Sequence, residues 1–117
     1  MNPRFPRLLA RADGPVAIFA GHDELALGVL QAVAELGLSA GQASVLGYDD
    51  TDVAAHPLMS LTSINQSGTQ MGAIAVRLLL ERVAGRTAAA HEVLAPKVMA
   101  RRSTAAPLPR NPRSAAH

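Results

Sequence analysis

The stretch PVAIFAGHDELALGVLQAVAELGL, residues 15–38, decides the fold when it is read together with ASVLGYDD at residues 43–50. Pro15 to Ala20 is a short apolar run behind a Gly-Pro break. It shows no polar alternation, which predicts a strand buried on both faces. Asp23 stands where a helix N-cap belongs, and Glu24 adds negative charge to the first turn. Apolar residues then recur at helical spacing from Glu24 to Leu36: Leu25, Ala26, Val29, Leu30, Val33 and Leu36. Leu27 and Ala34 widen the stripe, so this helix needs a second partner beyond the sheet it covers. Gly37 occupies the position of a C′ glycine. Ala43–Tyr48 is a second strand of the buried type, ending in Asp49-Asp50. Strand, helix and strand in this order form a βαβ unit, which builds a parallel sheet through a right-handed crossover.

Working outward toward the C-terminus, residues 51–60 predict a loop with one helical turn near Val53–Ala55, and residues 61–66 a third strand. Ser67 and Gln70 form the pattern Ser-x-x-Gln of a capping box. A long helix over residues 68–84 follows, with Met71, Ile74, Ala75, Leu78 and Arg82 on one stripe and Gly85 as its stop. Residues 91–100 predict an extended return segment, interrupted by Pro96. From residue 105 the Ala/Pro/Arg composition predicts a disordered tail. Upstream, residues 1–14 form a lead-in in which Phe5, Leu8 and Leu9 fit the last turn of a helix. Two or three parallel strands cannot cover two long helices and be covered on both faces themselves. The expectation is an incomplete α/β fold, with residues 15–104 as its working part.

Composition narrows the function. The 117 residues are 49% hydrophobic with a net charge of +2, as in a soluble globular domain. No apolar run is long enough for a membrane span, and the N-terminal residues show no secretory h-region. The absence of cysteine excludes disulfides and thiolate metal sites. These features predict a cytoplasmic protein. Aromatic side chains are too scarce for a single-stranded nucleic-acid platform. Arg4, Arg7, Arg11, Arg101, Arg102, Arg110 and Arg113 lie toward the two ends, and no recognition helix accompanies them.

Asp49 and Asp50 follow the second strand, where open α/β sheets bind ligands. A carboxylate there accepts hydrogen bonds from neighbouring sugar hydroxyls or from ring N–H groups, and equally from the turn that follows. His22 lies at the end of the first strand on the same edge. The four histidines lack metal-ligand spacing, so no metal and no cofactor is expected. Neither a G-x-S-x-G elbow nor a P-loop is present. Adjacent carboxylates on an extended chain point to opposite sides, which disfavours an acid–base pair and any enzymatic reading.

Taken in order, residues 15–30, Ala43–Asp50, LTSINQ at 61–66, Met71-Gly72 and Arg101-Arg102-Ser103-Thr104 resemble the LacI/GalR family of bacterial transcriptional regulators. The resemblance implies a two-lobed, periplasmic-binding-protein-like type I fold that closes on a small effector, of the sugar or nucleobase class. It implies the C-terminal part of that fold, without a counterpart of the helix-turn-helix head. Under it Asp49 is the effector-contacting aspartate, Gln66 is a polar residue at the crossover between lobes, and His22 takes a position often held by Asn. The helix over 23–36 would contribute to a dimer interface through Leu27 and Gln31, with a second copy or a related chain. Effector sensing and dimerisation, without direct DNA binding, is the function implied. Two alternatives are a non-DNA-binding interaction module or truncated remnant, and a fragment of a periplasmic sugar-binding protein.

Overall fold

The computed structural model describes residues 4–108. Its elements are α1 (Arg4–Arg11), β1 (Val16–Phe19), α2 (Asp23–Glu35), β2 (Ala43–Tyr48), α3 (Asp52–Ala55), β3 (Thr62–Asn65), α4 (Gly68–Val83) and β4 (Lys97–Met99). The strands form one sheet in the order β1-β2-β3-β4. β1 pairs with β2 and β2 with β3 in parallel, with Val16 opposite Ala43 and Leu46 opposite Thr62. β4 pairs with β3 antiparallel, Ile64 opposite Val98. This is the α/β, parallel βαβ architecture expected, with the return segment confined to a three-residue edge strand after Pro96.

The core lies between α2 and the sheet. Ala26 and Val33 of α2 pack with Ala43 and Val45 of β2, Ala54 of α3 and Leu61 at the entry to β3. Leu9 of α1, Val16, Ile18, Val29, Leu30 and Leu38 flank this cluster. Small alanines at the helix–sheet contact let α2 approach closely, and burial of the larger side chains supplies the hydrophobic stabilisation.

β1 and β2 are not buried on both faces as their composition predicts. Burial alternates along β1, and Phe19 is 60% exposed. A strand covered on one face alone shows period-two burial, and the described residues place no helix against the face opposite α2. α4 likewise contains no buried residue. Among the described residues, one face of β1 and the apolar side of one long helix are therefore left uncovered, in keeping with the strand count.

Both long helices end as their glycines predict. Gly37 and Gly85 have φ of 65° and 112°. The N–H groups of Leu38 and Arg86 return to the carbonyls of Val33 and Glu81, the six-to-one bond of a Schellman cap. The helix starts differ from expectation. His22, not Asp23, caps α2: it is extended (φ −159°, ψ 164°), and its Nδ1 accepts from Leu25 N–H at 3.4 Å. The Asp23 carboxylate is turned into the protein. Ser67 precedes α4 in the left-handed region (φ 57°, ψ 48°) and makes no side-chain cap bond, so Ser67 and Gln70 do not form a capping box. An N-cap hydroxyl reaches the N2 or N3 amide from an extended backbone, and the left-handed backbone of Ser67 removes that geometry.

The start of the expected tail is ordered. Ala105 N–H donates to Ser44 Oγ, and Leu108 N–H donates to the Gly41 carbonyl at 3.0 Å. The remainder of that expectation, residues 109–117, lies outside the described residues.

Candidate functional site

Beyond the carboxyl ends of β1 and β2 lies a hydrogen-bond hub centred on Asp23, which is 2% exposed. Asp23 Oδ1 accepts from Ser63 Oγ at 2.6 Å. Oδ2 accepts from the N–H and Oγ of Thr51, at 2.8 and 2.9 Å. A carboxylate removed from water must recover its hydrogen bonds from the protein, and these three bonds join the segments that follow β1 and β2 to Ser63 within β3. Gly47 makes room for the hub, because a Cβ there would stand 2.2 Å from Asp23 Oδ1. Thr51 also caps α3, its Oγ accepting from Ala54 N–H at 3.3 Å.

The hub supports a turn of unusual backbone. Asp49 and Asp50 both have positive φ, 101° and 51°. Such conformations cost non-glycine residues on the order of 1–3 kcal/mol each and persist where the surroundings over-determine them. Here three consecutive amides are held. Asp49 N–H donates to the Ile64 carbonyl, Asp50 N–H to Ser63 Oγ at 3.0 Å, and Thr51 N–H to Asp23.

Above the turn the side chains diverge. Asp49 is exposed, and its Oδ1 accepts from Gln66 Nε2 at 2.9 Å. Asp50 points inward and is held by Asn65 Nδ2 at 2.9 Å and Arg101 Nη2 at 2.6 Å. The Arg101–Asp50 ion pair is largely enclosed, the side chains being 17% and 10% exposed. Neither aspartate caps α3. The extended backbone expected here is absent, since both residues have positive φ; the two carboxylates take different partners, and Asp49 is the one left exposed.

Asp49 borders two open depressions. One, of about 290 Å³, is lined by His22, Asp23, Glu24, Asp49 and Thr51. The other, of about 470 Å³, is lined by Asp49, Asp50 and Asn65 together with the start of α4, Ser67 to Gln70. The fold thus brings His22, Asp49 and Gln66 to one sheet edge. Gln31 lies apart on the exposed side of α2, hydrogen-bonded to Glu35 at 2.9 Å, and Leu27 is half-buried. Among the described residues, no group of His, Asp or Glu is arranged to hold a metal ion.

Three functional roles escape a reading of local pattern: those of Asp23, Asp50 with Arg101, and Ser103. Ser103 is inserted between β2 and β3 where their ladder would otherwise begin. Its Oγ donates to the Val45 carbonyl and accepts from Thr62 N–H, while its own N–H and carbonyl engage Ser60 and Val45. The Arg101–Thr104 stretch is therefore a structural splice. Thr62 Oγ1 adds a contact to Thr104 Oγ1 at 2.7 Å.

A mostly parallel α/β unit with an outward carboxylate at its carboxyl edge is the class that the fold and the site define, that of a ligand-binding α/β lobe. Residues 3–104 match the family described as periplasmic binding protein-like domain. The chain is 41% identical over 86 residues to the HTH-type transcriptional repressor PurR of Glaesserella parasuis, covering 73% of this chain and 25% of that protein. It superposes on a dimeric Lac repressor with a C-terminal deletion at a TM-score of 0.77 and 30% identity, covering 90% of this chain and 39% of that one. It also superposes on the transcriptional regulator CelR in complex with cellobiose, at a TM-score of 0.74 and 36% identity, covering 85% and 31%. The chain belongs to the periplasmic-binding-protein-like domain family, within the LacI/GalR regulators, and corresponds to part of their effector-binding domain. It spans about a quarter of the length of the PurR relative it matches. No helix among the described residues is long and apolar enough to cross a membrane.

Proposed function

We propose that this chain supplies one wall of a small-molecule cleft, and part of a dimer surface, in a cytoplasmic transcriptional regulator of this family. The observation that carries the reading is Asp49: an exposed carboxylate on an over-determined turn, with Gln66 bonded to it and His22 on the same rim. That set offers an acceptor for paired sugar hydroxyls or nucleobase N–H groups, an amide, and an imidazole. The cellobiose complex of the CelR neighbour favours the sugar class. The reading is one of binding without catalysis, since Asp50, the second carboxylate, is already engaged by Arg101 and Asn65. In the whole regulator, effector binding would couple to DNA affinity through lobe closure, and residues 15–104 would act as the sensing and dimerising portion. Leu27 and Gln31, beside exposed Leu25 and Leu36, are the proposed dimer contacts on or next to α2.

Titration of the isotope-labelled chain with cellobiose, glucose and purine bases tests this reading by NMR. Amide shifts are expected at His22, Asp49 and Gln66, and Asp49→Ala is expected to abolish them. Shifts confined to another face, or a response unchanged in Asp49→Ala, would overturn the assignment.

The exposed apolar side of α4 favours a second reading, in which the chain is an interaction module that pairs with a longer relative. Co-purification with such a relative, unaffected by Asp49→Ala, would support it.

A further inference from the structure

Two cross-loop hydrogen bonds lie side by side at the candidate site: Gln66 to Asp49 and Asn65 to Asp50, each 2.9 Å. The first faces solvent and carries the candidate ligand groups. The second is half-buried and anchored at both ends. At one end Asp50 is gripped by Arg101, whose second guanidinium nitrogen holds the Leu61 carbonyl at 2.8 Å. At the other end Asn65 Oδ1 accepts from Ser67 N–H at 2.7 Å, so the two polar atoms of the Asn65 amide bracket Gln66. Asn65 is the last residue of β3, directly ahead of α4, and Arg101 follows β4 by two residues. The chain's passage into the segment bearing α4 and its passage out of it therefore both end on one carboxylate, that of Asp50.

From this we infer that Asp50 is the positioning residue of the candidate site: through Arg101 and Asn65 it fixes the Asp49–Gln66 pair and ties it to the two strands that flank the α4 segment. The inference rests on the binding reading of Asp49 given above. Displacement of β3 moves Asn65 and displacement of β4 moves Arg101, and Asp50 carries that movement to the adjacent residue that presents the ligand carboxylate. The positive φ at residues 49 and 50 persists only where the surroundings hold it, and the two side-chain grips on Asp50 act there beside the three amide bonds.

The test is made on the unliganded 117-residue chain by NMR, so that it does not depend on the effector. The readouts are the Gln66 side-chain amide resonances and the three-bond HN–Hα coupling of Asp49, with far-UV circular dichroism as the control for folding. Arg101→Met is expected to move both readouts toward random-coil values, and Arg101→Lys, which keeps a cation at Asp50, to bring them back. Asn65→Ala cuts the chain from Asp50 to Ser67 without touching the ion pair. It should move the Gln66 resonances even if Arg101→Met fails to fold. Native Asp49 and Gln66 readouts in a folded Asn65→Ala chain would overturn the inference, as would equal perturbation by Arg101→Met and Arg101→Lys. The binding reading fails separately, through an Asp49→Ala chain that still takes up cellobiose as the parent does.

Discussion

Helices α2 and α4 have similar patterns and opposite fates. Both are rich in leucine, valine and alanine, and both close on a glycine with the same terminal hydrogen bonds. Yet α2 buries Asp23, Ala26, Ala32 and Val33, while α4 buries nothing and leaves Val83 78% exposed. α4 is held by its own polar pairs. Arg77 and Arg86 both engage Glu81, and Arg77 reaches Glu92 beyond the helix. Such exposed pairs contribute little individually. The contrast shows that amphipathic spacing specifies a helix and its apolar side, whereas burial depends on whether a partner surface is present.

The largest difference should appear at the hub beneath α2. Asp23→Ala leaves the buried Ser63 Oγ and two part-buried Thr51 donors without their acceptor. Hydrogen bonds to a buried charged group each contribute roughly 1.5–3 kcal/mol, so a combined loss of about 3 kcal/mol or more is expected. A urea titration followed by circular dichroism measures it. If the midpoint hardly moves, the β1–β3 region is not organised by Asp23, and the contrast with α4 loses its basis.

The hub also marks the limit of what the sequence makes legible. The βαβ unit, the span of both long helices, their glycine stops and the position of Asp49 at the sheet edge all follow from local periodicity. The partner of Asp23 does not: Ser63 lies forty residues away, and a serine within a strand carries no local signal that it faces a carboxylate. At α2 the local rule chose Asp23 as the cap, because it weighs carboxylates at helix starts but not the demand of a distant hydroxyl. At Ser67 the Ser-x-x-Gln pattern was present while Asn65 took the Ser67 amide and set a left-handed backbone. Arg101 and Ser103 were visible as part of a motif, but their work as clamp and splice depends on contacts about forty to sixty residues apart.

A smaller effect, of opposite sign, separates the two accounts of the start of α4. If Ser67 were a side-chain cap, its replacement by glycine would cost roughly a few tenths of a kcal/mol. With Ser67 at φ 57° and no cap bond, Ser67→Gly removes a left-handed penalty instead. The expected result is a chain of equal or higher thermal midpoint, by the equivalent of about 0.5 kcal/mol. A lower midpoint would restore the capping box.

The smallest effect is the most informative about α4. Leu79 is 61% exposed and its neighbour Leu80 60%. Truncating a buried leucine to alanine costs about 2–5 kcal/mol, because contacts are lost and a cavity remains. A surface leucine forfeits neither, and Leu79→Ala should change the stability of the chain by no more than about 0.5 kcal/mol. The measurement should be made at several protein concentrations. A cost of several kcal/mol that grows with concentration would mean that α4 is buried against a second copy in solution. α2 and α4 would then both be partnered helices, one served within the chain and the other between chains. A near-zero cost at every concentration keeps the difference intact, and leaves the apolar side of α4 as the surface on which the rest of a regulator would have to pack.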